Sequence, residues 1–116
     1  MTYEALAERS PDEVEAALRD GAPDQLATVV LAAALYAEDG AWAESVGLRL
    51  ATHADPTVRG NAVLGFGHLA RRFGALSPGA VARVDIARSD PDAYVRSQAE
   101  AAAADVAFFL SPPEPG

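Results

Sequence analysis

Few side chains in this 116-residue chain could do covalent chemistry. There is no cysteine, which removes thiol nucleophiles, thiolate metal sites and disulfides. The two histidines are His53 and His68. They are followed by Ala54 and Leu69, so neither belongs to a His-Glu pair or to an HExxH motif, and the spacing of a metal site is missing. Ser10, Ser77 and Ser89 lie at or next to expected helix starts. Ser45 and Ser97 lie inside helical patterns without a base at readable spacing, and no Gly-x-Ser-x-Gly elbow occurs. Gly65-Phe66-Gly67 is a lone GxG in a helical pattern with no strand before it. The stretch from Gly60 to Gly65 leads to no Lys-Ser/Thr, so no phosphate-binding loop is present. Glu38-Asp39 and the Asp90/Asp92 pair read as helix caps and loop solvation. The expectation is a protein with no enzymatic activity, no cofactor and no metal.

Charge then narrows the partner. Formal net charge is -8, from 17 acids and 9 bases, and every base is arginine. The surplus is gathered at one end. Glu4, Glu8, Asp12, Glu13, Glu15, Asp20, Asp24, Glu38, Asp39 and Glu44 face only Arg9 and Arg19, whereas acids and arginines balance beyond residue 44. Such a field repels phosphate backbones and anionic lipid and attracts basic partners. Nucleic-acid binding is disfavoured, and no apolar run approaches the ~18 residues of a membrane span. An acidic N-terminus unlike a secretory signal points to the cytoplasm.

The elements that must carry these charges are helices. Alanine is the commonest residue, and it favours helix over strand. Ser10-Pro11-Asp12-Glu13 has the capping-box pattern, and Asp55-Pro56, Ser77-Pro78 and Asp90-Pro91 share its N-cap and N1 chemistry. Stop signals fall at Gly21, at Glu38-Asp39-Gly40 and at Gly74. The reading is six helices, over 11–20, 24–37, 41–53, 56–73, 78–88 and 91–110, with a short turn near 3–8. Residues 1–110 form one domain, and 111–116 form a flexible Pro-rich tail. Short connections imply antiparallel neighbours.

The helices repeat. With Val58-Arg59 set on Val95-Arg96, an offset of 37, the stripe Val58, Ala62, Gly65, Leu69 and Phe73 falls on Val95, Ala99, Ala102, Val106 and Leu110. Leu26, Val30, Ala33 and Ala37 repeat it upstream. Gly65 and Ala102 are small, as close helix approach requires. The preceding helices carry looser stripes: Val14 and Leu18; Trp42, Val46 and Leu50, with His53 next in the row; and Ala80, Val81, Val84 and Ala87. Three helix pairs of about 32–37 residues follow. His53, at a helix end, is placed to serve terminal carbonyls as a cation.

An aspartate at the helix start, a Val-Arg pair and small residues at helical spacing resemble the second-helix signature of HEAT-like repeats, over roughly residues 11–110. The resemblance implies an all-α, right-handed α-solenoid of about three hairpins. It also implies that Arg59 and Arg96 form an inter-repeat ladder with Asp55 and Asp90, and that the second helices line the inner surface. HEAT-like families include scaffolds, lyases, hydroxylases, glycosylases and inhibitors. The hydroxylases use His-Glu motifs for iron and the glycosylases a basic groove; both are missing here. The small acidic three-repeat chain is also similar to bacterial HEAT-like proteins that act as antidotes to toxins.

The functional expectation is a protein–protein interaction module, in its sharpest form an immunity protein that blocks a basic toxin. The alternative is a regulatory scaffold or assembly factor, a monomer or a weak homodimer. Candidate partner-binding residues are Asp20, Glu38, Asp39, Trp42, Glu44, His68 and Arg72. Trp42 also reads as core. Thr28, Leu31, Leu35 and Tyr36 form an apolar face on helix 24–37 that either Tyr3 and Leu6 cover or a partner meets.

Overall fold

The computed structural model describes residues 8–110. The expected turn near 3–8, the covering role of Tyr3 and Leu6, and the tail 111–116 lie outside or almost outside the described residues. Six helices are present: α1 (Pro11–Asp20), α2 (Pro23–Tyr36), α3 (Gly40–Leu50), α4 (Pro56–Phe73), α5 (Pro78–Ala87) and α6 (Ala93–Phe109). No strand occurs among the described residues. No helix there is long and apolar enough to cross a membrane.

The cap chemistry sets most boundaries. Ser10 and Glu13 close a reciprocal capping box on α1. Asp39 accepts from the Trp42 N–H and starts α3. Asp55 accepts from Thr57 and Val58 and starts α4. Gly74 ends α4 in the left-handed region, at φ 63. Nothing lies within 4 Å of where its Cβ would stand. Gly74→Ala should therefore destabilise through backbone strain alone, by about 1 kcal/mol. Urea unfolding checks this.

Two boundaries differ from expectation by more than one residue. α3 ends at Leu50 instead of reaching residue 53, so His53 lies in the loop. Its Nδ1 accepts the Asp55 N–H, and it is the Arg59 guanidinium that donates to the His53 and Ala54 carbonyls. Asp90-Pro91 does not open α6. The Asp90 carboxylate faces Arg59 and accepts the Asp92 N–H, and Asp92 caps α6 through Tyr94 and Val95.

The start of α6 thus repeats the cap and loop hydrogen bonds of the start of α4 at the offset of 37. Asp92 stands where Asp55 stands, Asp90 where His53 stands. Arg96 donates to the Asp90 and Pro91 carbonyls as Arg59 does to those of His53 and Ala54. The implied ladder is reduced to one rung: Arg59 meets Asp90 bidentately at 2.8 and 2.9 Å. Asp55 is engaged in capping and Arg96 in loop carbonyls, so neither completes a second rung.

α4 lies in the middle, with α6 on one side and α2 on the other; α2 and α6 do not touch. α3 packs on α2 and α4, α5 packs on α4 and α6, and α1 packs on α2. One core runs through all six helices, and Val58, Ala62, Val95, Ala99 and Ala102 of the repeated stripe are fully buried in it. The close approaches use small residues. A Cβ on Gly67 would stand 2.9 Å from the Ala102 Cα, and one on Gly65 3.1 Å from the Ala34 Cβ. Asn61 bolts the layer: it donates to the Ala27 carbonyl of α2 and accepts from the Tyr94 hydroxyl of α6.

Candidate functional site

The acidic connection between α2 and α3 is held from two sides. α2 stops at Tyr36, and its last carbonyls would be left without donors. Arg72 of α4 supplies them, donating to Ala34 O at 2.7 Å and Ala37 O at 2.6 Å. The same guanidinium lies 4.7 Å from the Phe73 ring centroid. On the far side Asp39 Oδ1 is fixed by the Trp42 N–H at 3.1 Å. Glu38, between these anchors, is exposed.

Trp42 is half-buried against the core, and its indole donates to Glu15 of α1 at 3.1 Å. Glu15 also pairs with Arg49 at 3.1 Å. The Trp42 hydrogen bond first, then the Arg49 bond, hold the Glu15 carboxyl below the usual carboxylate range. Glu44, two residues further along α3, accepts the Ser77 N–H at 2.7 Å. Ser77 in turn caps α5. The α4–α5 connection is thereby pinned beside the N-terminal half of α3.

Two depressions flank the Glu38–Asp39 turn. One, of about 450 Å³, runs between the α2–α3 and α4–α5 connections and has Glu38, Asp39 and Glu44 around Ala41, Leu69, Phe73 and Leu76. The other, of about 550 Å³, lies against Glu8, Arg9, Pro11 and Trp42 and shares Glu38 and Asp39.

The structure therefore brings Glu38, Asp39, Trp42 and Glu44 together, with Arg72 engaged beneath them. Asp20 is exposed at the end of α1 and lines neither depression. His68 is half-buried on α4, also outside both, with its Nδ1 3.0 Å from the Arg71 guanidinium. Burial first and the Arg71 charge second hold its imidazole below the usual histidine value, and Asp105 opposes them. Leu31 and Leu35 are half-buried on α2 and Tyr36 is exposed.

Sequence reasoning missed Glu15, Phe73 and Ser77 as parts of this site. Phe73 ended the apolar stripe of α4 in the sequence; in the structure it is 40% exposed and forms a wall of the first depression. Glu15 and Ser77 carry no local signal, since their partners lie 27 and 33 residues away.

No family model matches the chain, and no curated protein matches it. Among solved structures it is similar to a chain of the crystal structure of a CDI complex from Cupriavidus taiwanensis LMG 19424. The TM-score is 0.80 at 29% sequence identity, over 94% of this chain and 97% of that one. The likeness spans nearly the whole of both molecules.

Proposed function

We propose that this chain is the immunity member of a contact-dependent inhibition pair: a non-catalytic, cytoplasmic protein that binds a basic toxin domain and blocks it. The observation that carries the reading is the near full-length likeness to a chain of a CDI complex at 29% identity. Two features support it. The order of helix contacts, with α4 between α2 and α6, suits a right-handed α-solenoid of three HEAT-like hairpins, an architecture that presents long surfaces to proteins. The acid surplus of the N-terminal half surfaces at the exposed Glu38–Asp39 turn, where it complements a cationic partner.

The test is to mix the purified chain with the toxin domain encoded beside it. A tight one-to-one complex should form, and the toxin's activity should fall to background in it. Because opposite fields steer encounter, the association rate should drop by roughly tenfold between about 0.05 and 0.5 M salt. A toxin that stays active with the chain in excess would overturn the reading. A mass that doubles with concentration in light scattering, without toxin binding, would favour an assembly factor instead.

A further inference from the structure

We infer that the groove between the α2–α3 and α4–α5 connections is a socket for one arginine or lysine side chain of the partner. Its aliphatic stem lies on Leu69, Phe73 and Leu76, and its cationic head sits among Glu38, Asp39 and Glu44. The identity of the partner rests on the proposed immunity role; the chemistry of the socket does not.

Three carboxylates surround this groove, and none of them is in an ion pair among the described residues. Asp39 Oδ1 and Glu44 Oε1 each take a backbone N–H, at 3.1 and 2.7 Å. Those bonds fix both carboxylates in place and leave each with a second acceptor oxygen. The Arg72 guanidinium is turned to the Ala34 and Ala37 carbonyls instead. The floor is equally fixed. The Phe73 ring lies against Gly40, where a Cβ would come within 2.9 Å of it, and the Arg72 guanidinium covers it at 4.7 Å.

A fixed apolar floor under uncompensated carboxylates suits a long side chain that buries its methylenes and keeps its charge at the rim. Preorganised acceptors lower the ordering cost of capturing it. At about 450 Å³ the groove also admits the residues on either side of that cation. The neighbouring depression shares Glu38 and Asp39, but Arg9 already brings a positive charge to its lining.

The socket is tested with n-butylguanidinium, a cationic head on a four-carbon stem, in an amide NMR titration of the full chain. Saturable shifts are expected at Gly40, Ala41 and Ser77, with guanidinium or 1-pentanol far weaker. Glu38→Gln, which touches no helix end, should weaken the binding about threefold. Ala41→Arg, at an exposed position that places a tethered cation in the groove, should abolish it while circular dichroism stays unchanged. The toxin domain should bind Ala41→Arg at least tenfold more weakly, and the variant Ala104→Arg on exposed α6 as tightly as wild type. Absent or scattered shifts overturn the socket. Toxin binding that is indifferent to Ala41→Arg removes its role in the partner but leaves the immunity reading. Butylguanidinium binding in a chain that ignores the toxin does the reverse.

Discussion

Phe66→Ala should lower the unfolding free energy by about 3–5 kcal/mol, the range for truncating a fully buried aromatic. Phe66 is 0% exposed and is among the largest fully buried side chains of the described residues. Its ring fills the space that α3 leaves by having no side chain at Gly47, where a Cβ would stand 2.7 Å from a ring atom. Two helices are locked by one ring in one gap, so the surroundings can collapse only by moving α3 toward α4. A domain of this size is typically stable by about 5–15 kcal/mol, so about a fifth or more of the total is at stake. Urea unfolding gives the shift directly. Gly47→Val should be destabilising alone, through overpacking, and less so on the Phe66→Ala background, where it refills the gap. A loss under about 1 kcal/mol, or additive effects in the double variant, would show that ring and gap are not matched. The consequence reaches the site. Asp39, Trp42 and Glu44 ride on α3 and its cap, whereas Arg72 and Phe73 ride on α4. The Phe66–Gly47 contact sets the spacing between them, so Phe66→Ala should also weaken butylguanidinium binding while leaving its chemistry intact.

The framework was legible because it is local. Short oxygen side chains before Pro11, Pro56 and Pro78 cap the helices that the sequence placed there. The stripe spacing found the buried Val58, Ala62, Gly65 and Leu69 of α4 and Val95, Ala99 and Ala102 of α6, but it missed Val63, Phe66 and Ala70 and included Phe73, which is exposed. The stripe fades along the second half of α6: Val106 and Leu110 are half-buried, and Phe108 is 78% exposed. The failure at Asp90-Pro91 is instructive. Two alignments competed, one set by Asp-Pro and one by Val-Arg, and they differ by two residues. The structure keeps the Val-Arg offset, because a buried valine and an arginine that ties loop carbonyls are constrained by packing. An Asp-Pro pair can slide within a loop. Charge showed that the N-terminal half is acidic. It did not show which acids are engaged, because Glu15, Glu44 and Arg72 find their partners 27, 33 and 38 residues away. Arg72, read as a partner contact, is occupied by the Ala34 and Ala37 carbonyls, and Glu38 is exposed on the α2–α3 turn that it holds.

Arg59→Met should cost about 2–4 kcal/mol at neutral pH, several times more than Arg96→Met. The two arginines occupy equivalent positions and tie equivalent carbonyls. They differ in that Arg59 also reaches across to the next hairpin and meets Asp90 through two bonds, with both side chains largely shielded at 16% and 13% exposure. Methionine keeps the stem's packing and leaves the Asp90 carboxylate short of its cation. Arg96→Met loses bonds to loop carbonyls near solvent and a minor charge attraction to Asp90, about 1 kcal/mol. The difference between the two variants therefore isolates the rung. Its pH dependence has a definite sign. The Arg59 hydrogen bond first, against the opposing effect of burial, holds the Asp90 carboxyl below its ordinary 3.8. A carboxyl depressed in the folded state contributes stability that is present above the unfolded value and is lost as pH falls through the folded one. Wild type and Arg59→Met should converge in stability as pH drops below about 4, without meeting, since the His53 and Ala54 carbonyls still bind Arg59. Protonation of His68 acts alike in both proteins, so it cancels from the difference. An Arg59→Met/Asp90→Asn cycle should show a coupling of about 1–3 kcal/mol at pH 7. No coupling would mean that the middle and last hairpins are held in register by the apolar seam and Asn61 alone.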